Sequence, residues 1–182
     1  FDARLDEVEH RVDGEGTITV RNTSAAPLRE LWLHLYLNAF KNERTAFMRA
    51  DVGSGFRGAG RPERWGWIEV ERLHARELDA DLWANAEPSA ADPEDETDVR
   101  VPLPQPLAPS AELTLEIRWR SLLPSLVHRT GFAGSFHMVA QWFPKLARLL
   151  PDGSWAHFSF QQLSEFSADY GDYDVRIDPP AG

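Results

Sequence analysis

An all-β fold of antiparallel strands joined by turns and by two or three long loops is what this sequence predicts. Three observations carry that expectation: apolar and polar residues alternate with the two-residue period of a strand, helical periodicity is nearly absent, and Gly, Pro, Asn and Asp separate the alternating runs. The expected architecture is an antiparallel β-sandwich, or a saddle-shaped sheet backed by a smaller one. The 182 residues suit one domain, 1–182, with one sizeable core, and seven Trp and ten Phe predict an aromatic core or surface.

Taken in order, Phe1, Ala3 and Leu5 alternate with polar residues. Asp13-Gly14-Glu15-Gly16 then reads as a turn before the β-branched run from Thr17 to Asn22, giving a hairpin. Asn22-Thr23-Ser24 is formally a glycosylation sequon, but it reads better as a turn leaving a strand. Leu31, Leu33, Leu35 and Leu37 alternate with Trp32, His34, Tyr36 and Asn38, which predicts a strand with an aliphatic face and an aromatic-polar face. His34 is expected to be a partly solvated packing residue.

A loop excursion over about 38–66 follows, with a short helix near Glu43 to Met48. Gly53-Ser54-Gly55-Phe56-Arg57-Gly58 lacks the preceding strand and following helix of a dinucleotide fingerprint. Ile68 and Val70, between Trp67, Glu69 and Glu71, begin another strand. The acidic segment over about 86–98 reads as a solvated loop, since it lacks the Asp spacing and Gly turn of a calcium loop. Val99 to Leu107, with prolines at 102, 104 and 106, suits an edge strand or a polyproline-like stretch. Leu113, Leu115, Ile117 and Trp119 alternate with Thr114, Glu116, Arg118 and Arg120, the clearest half-buried strand in the chain.

The densest aromatic stretch runs from Phe136 to Val175. Phe136, Met138, Ala140 and Trp142 would occupy one face of a strand, with His137, Val139, Gln141 and Phe143 on the other, until Pro144 ends it. Trp155 to Phe160 reads as a further strand after the turn at Asp152-Gly153, and Tyr170-Gly171-Asp172 precedes Tyr173, Val175 and Ile177.

A formal charge of −10 argues against nucleic acid as a partner, because phosphate binding needs clustered Lys and Arg. No apolar run reaches transmembrane length, and the lack of cysteine excludes disulfides and thiolate chemistry. The six histidines show no His-Glu-x-x-His spacing, although His128 and His137 could meet across a hairpin. No catalytic residues and no metal ligands are therefore expected in this chain. Trp32, Trp65, Trp67 and Trp83 could instead form a stacking platform for sugars, or pack between sheets.

The residues from Phe1 to Phe40, the segment VPLPQPLAPSAELTLEIRWRSLLP, and Gln141-Trp142-Phe143-Pro144, Trp155, Glu165-Phe166 and Tyr170 to Val175 together resemble the N-terminal β domain of aminopeptidase N-type zinc metallopeptidases. Within that family they are most similar to a bacterial, exported branch, which implies a periplasmic or extracellular location. The start at Phe1 and the end in Pro179-Pro180-Ala181-Gly182 read as a piece cut at a linker, with any signal peptide missing. The resemblance implies a non-catalytic domain that shields the active-site cleft of a following thermolysin-like domain. Zinc belongs to that domain, and this part holds no cofactor. It also implies a Gln or Glu that grips the free α-amino group of a peptide substrate, since an ammonium offers only donors. Gln141 is the first candidate and Glu165 the second. The family's Cys and acidic pair after Phe-Pro are replaced here by Lys145-Leu146-Ala147. The alternative is an independent carbohydrate- or protein-binding β-sandwich module.

Overall fold

The computed structural model describes residues 1–51, 61–161 and 168–180. In chain order its elements are β1 (Asp2–Asp6), β2 (Arg11–Arg21), β3 (Leu28–His34), helix α1 (Ala46–Asp51), β4 (Trp67–Ala75), β5 (Ala80–Asp81) and β6 (Glu87–Pro88). There follow β7 (Asp98–Leu107), β8 (Glu112–Leu122), β9 (Gly131–Ala133), β10 (Phe136–Met138), β11 (Lys145–Leu146), β12 (Arg148–Leu149), β13 (Trp155–Ala156) and β14 (Arg176–Asp178). A large sheet has the order β14-β1-β2-β8-β4-β5 and a smaller one β11-β3-β7-β6, with two short two-stranded pairs, β9–β10 and β12–β13. The fold is all-β and sandwich-like, as the alternation predicts. Among the described residues the strands pair antiparallel except the edge strand β14, which runs parallel to β1; Ser125 and Phe132 form an isolated parallel bridge.

One apolar core lies between the two sheets. The large sheet contributes Val20, Ile68, Val70, Leu73, Leu113, Leu115, Ile117 and Trp119, and the small sheet Leu31, Leu33, Val99 and Val101. Burying each such side chain is worth about 1.5–3 kcal/mol, which is why β8, central and alternating, anchors the sheet. β4 keeps its apolar residues inward by a bulge between Val70 and Arg72, so that the inward set steps from Ile68 and Val70 to Leu73 and Ala75.

Gly14 and Gly16 do not form a turn. They lie inside β2, and the chain reverses at residues 7–10 instead. A Cβ on Gly14 would stand 2.3 Å from the Trp119 ring and one on Gly16 2.7 Å from the Phe1 ring, so both glycines are gaps in a strand that two aromatic rings fill. Asn22, in contrast, does make the expected turn: its Oδ1 accepts from Ser24 N at 3.0 Å, and its Nδ2 donates to the Ala26 and Leu107 carbonyls.

The β3 alternation is real but stops at His34, and Tyr36–Phe40 form a buried 3-10 turn. Asn38 fixes that turn, accepting from Ile68 N at 2.9 Å and donating to the Glu96 carbonyl. The expected short helix is α1, displaced a few residues along the chain. Thr45 caps it by accepting from Met48 N, and the Asp95 carboxylate takes the Ala46 N–H at 2.7 Å. That contact also corrects the acidic loop. Asp95, Thr97 and Asp98 are buried, because their oxygens serve α1 and the core side of the segment at Phe160 rather than solvent. The Gly53–Gly58 run lies outside the described residues.

β7 reconciles its prolines with a sheet position. β6 pairs only with Val99 and Arg100, and the register against β3 jumps from Glu30↔Pro102 to Leu28↔Leu107, so Pro104 and Pro106 sit in a bulge where no ladder N–H is required. The expected strand from Phe136 to Phe143 shrinks to three residues. Gln141 has φ 57°, a left-handed conformation that ends extended pairing, and Phe136 and Met138 point to solvent rather than into a core. The strand expected from Trp155 to Phe160 likewise keeps ladder pairing only at Trp155–Ala156. Among the described residues no helix is long and apolar enough to cross a membrane.

Candidate functional site

The outward face of β3 is covered rather than open. Trp32 and His34 point away from the sandwich core, and the returning chain around residues 145–160 packs over them. Lys145 pairs with His34 in the β11–β3 ladder. His34 is completely buried, against the expectation of partial solvation, because Tyr36 stacks on its ring at 4.4 Å and Phe158 closes the far side at 6.0 Å.

Asp98 stands opposite His34 in the β3–β7 register. Its Oδ2 accepts from His157 Nδ1 at 2.7 Å, while its Oδ1 lies 3.7 Å from His34 Nε2. Burial pushes the Asp98 carboxyl above its usual range, and the hydrogen bond and charge of His157 oppose that push. A carboxylate accepting at Nδ1 places a His157 proton there, so that Nε2 carries the lone pair whenever the ring is neutral. The His157 ring lies flat on Trp32 at 3.4 Å, and Trp32 Nε1 donates to Glu30 at 2.9 Å. Burial works against ionising Glu30, but hydrogen bonds from Arg100, at 2.5 Å, and from Trp32 hold its carboxyl below the usual range.

Beyond Tyr36, on the same covered face, stands Lys145. Its ammonium donates to Gln141 Oε1 and lies 5.2 Å from the centre of the Tyr36 ring. Burial pushes its pKa down to about 8. Gln141 is aimed at Lys145 by its left-handed backbone. The next residue is pinned, because the Trp142 carbonyl accepts from Trp119 Nε1 at 2.8 Å and Ser121 Oγ at 2.7 Å. A groove of about 370 Å³ opens beside Lys145, lined among others by Thr17, Thr19, Phe143, Trp155 and Tyr173.

Gln141 therefore sits in a polar site. Glu165 lies outside the described residues. His128 and His137 do not meet: His128 packs against Phe47 at 4.7 Å, and His137 reaches His10 instead. Nor do the tryptophans form an open platform, since Trp32 is buried and Trp65 and Trp83 pack against the core. Among the described residues no three His, Asp or Glu side chains converge as a metal-binding group. Sequence reasoning missed Asp98, His157 and Lys145. Lys145 stands out in the sequence only as a difference from the family that the chain resembles, and nothing in the order of residues joins His34, Asp98 and His157. No protein-family model matches the chain, and no curated protein matches it significantly.

Proposed function

We propose that this chain is the non-catalytic β domain of a bacterial, exported zinc aminopeptidase-like protein. In this reading it shields a peptide-binding cleft whose zinc and general base are carried by a following domain, and Gln141 helps to hold the free amine of the peptide. One observation carries the proposal: Gln141 Oε1 already accepts a hydrogen bond from an ammonium, that of Lys145. A substrate α-ammonium offers the same donors, and a lysine whose pKa is lowered to about 8 yields its place more readily than an ordinary one. The exposed side chains of Phe136, Met138, Val139 and Leu126 support the same reading, since a neighbouring domain would cover such apolar residues.

The test is kinetic, in the parent polypeptide carrying both domains. Gln141→Ala is expected to raise KM for amino-acid amides about tenfold, with a smaller change in kcat, as loss of one charge-assisted hydrogen bond predicts. An unchanged KM removes Gln141 from the anchoring role, and a parent without zinc-dependent peptidase activity removes the assignment. The glycan-binding alternative requires exposed tryptophan faces, and all seven are buried or partly buried.

A further inference from the structure

The β9–β10 hairpin is tied to the preceding chain at β9, where Phe132 N donates to the Pro124 carbonyl at 3.0 Å, and its β10 strand meets the β1–β2 turn through two imidazoles. His10 Nδ1 and His137 Nε2 stand 2.8 Å apart with ring centres 5.1 Å apart, so the two nitrogens meet head to head along one line. The residues are 127 positions apart in the chain, and the contact joins the β1–β2 turn to β10. On the body side the His10 carbonyl accepts from Leu123 N at 2.9 Å, and the His10 ring also lies on Phe132 of β9 at 3.5 Å, so the turn touches both strands of the hairpin. On the hairpin side His137 Nδ1 is 3.1 Å from the Ser135 carbonyl, which fixes a proton on Nδ1 and makes Nε2 the acceptor whenever His137 is neutral.

We infer that His10 and His137 form a proton-controlled latch, closed near neutral pH, which releases β10 when the pair takes up a second proton. One proton fits on the line between the two nitrogens. Two would set N–H against N–H at 2.8 Å and place two positive charges across one contact. The surrounding charges divide. Arg64, whose guanidinium lies 5.3 Å from the Phe132 ring centre, opposes further positive charge, while Glu9 and Asp6 on the turn favour it. Burial, His137 and Arg64 prevail, and they hold His10 below its usual range. A histidine lowered in the folded state stabilises the closed form fully above about pH 6.5, its unfolded value, and that contribution falls away as the pH drops below it. What the latch controls is exposed and apolar: Phe136 and Met138 lie on either side of His137 in β10. The inference stands whether or not a second domain covers that strand.

The experiment is amide hydrogen exchange on the full chain between pH 7.5 and 5.5, corrected for intrinsic rates. Protection of β9 and β10 should fall about tenfold relative to the β2–β8 ladder as the pH drops. In His137→Gln and in His10→Asn, whose residue type tolerates φ 55°, the hairpin should be weakly protected at both pH values with no step. A constant ratio in the natural chain, or a step that survives in either variant, overturns the latch. Protection of the β2–β8 ladder reports whether each variant has folded. Should one fail to fold, NMR titration of the natural imidazoles decides: two separated steps for the pair support the latch, and two coincident ordinary titrations overturn it.

Discussion

The outer faces of the two sheets solve opposite problems. On the large sheet, Arg118 pairs with Glu15 across β8 and β2 at 3.1 Å, Arg120 with Asp13 at 3.2 Å and with Glu71 at 3.0 Å, all in contact with solvent. On the small sheet the outer face is roofed by the returning chain, and its polar groups find partners under that roof: Trp32 donates to Glu30, His157 to Asp98 and Lys145 to Gln141. The difference teaches that a polar residue on a strand is inexpensive or costly according to what covers it, not according to its place in the alternation. Charges in water pair weakly, whereas those under a roof depend on the partners enclosed with them.

The comparison breaks most easily at Asp98. Asp98→Ala should cost about 2–3 kcal/mol in denaturant unfolding, because it strips His157 of its acceptor and leaves the buried His34 imidazole facing an apolar gap, and Asp98→Asn should cost less. A loss below about 0.5 kcal/mol for Asp98→Ala would put this carboxylate in the same class as the open ladders.

Lys145, under the same roof, acts on stability with the opposite sign. Its pKa, lowered to about 8, means that the folded state holds its proton less tightly than the unfolded chain, whose value is about 10.4. The charged form is thus a burden below pH 8, and stability should rise as the pH climbs from about 8 to 10. Lys145→Met should gain about 1–2 kcal/mol at pH 7 and flatten that rise, read from unfolding midpoints across the range. Arg118→Ala marks the small end of the scale. It should change stability by no more than about 0.5 kcal/mol and lose even that in high salt.

These two faces also mark how far the sequence could be read. β8 was legible because a half-buried strand in water needs only its own period-two pattern, and Leu113 to Trp119 display it. β3 displayed the same pattern, yet the burial of His34 depends, besides its neighbour Tyr36, on Phe158 and Asp98, which arrive from elsewhere in the fold. Gly14 and Gly16 misled for a related reason. A local reading makes such a pair a turn, whereas the demand for missing side chains comes from Trp119 and Phe1. The stretch after Phe136 misled because a left-handed Gln141 leaves no trace in hydrophobic periodicity. Gln141 is a candidate only through the resemblance, and its lysine partner, four residues on, shows only in three dimensions.

The bulge in β7 has a consequence of its own. Beyond its two pairs with β6, the far half of that strand faces outward carrying Pro102, Pro104 and Pro106, none of which can donate to an arriving chain. A sheet margin of this kind refuses recruitment by its own copies. Crowded molecules of this protein lack, along that border, the template from which fibrils are seeded.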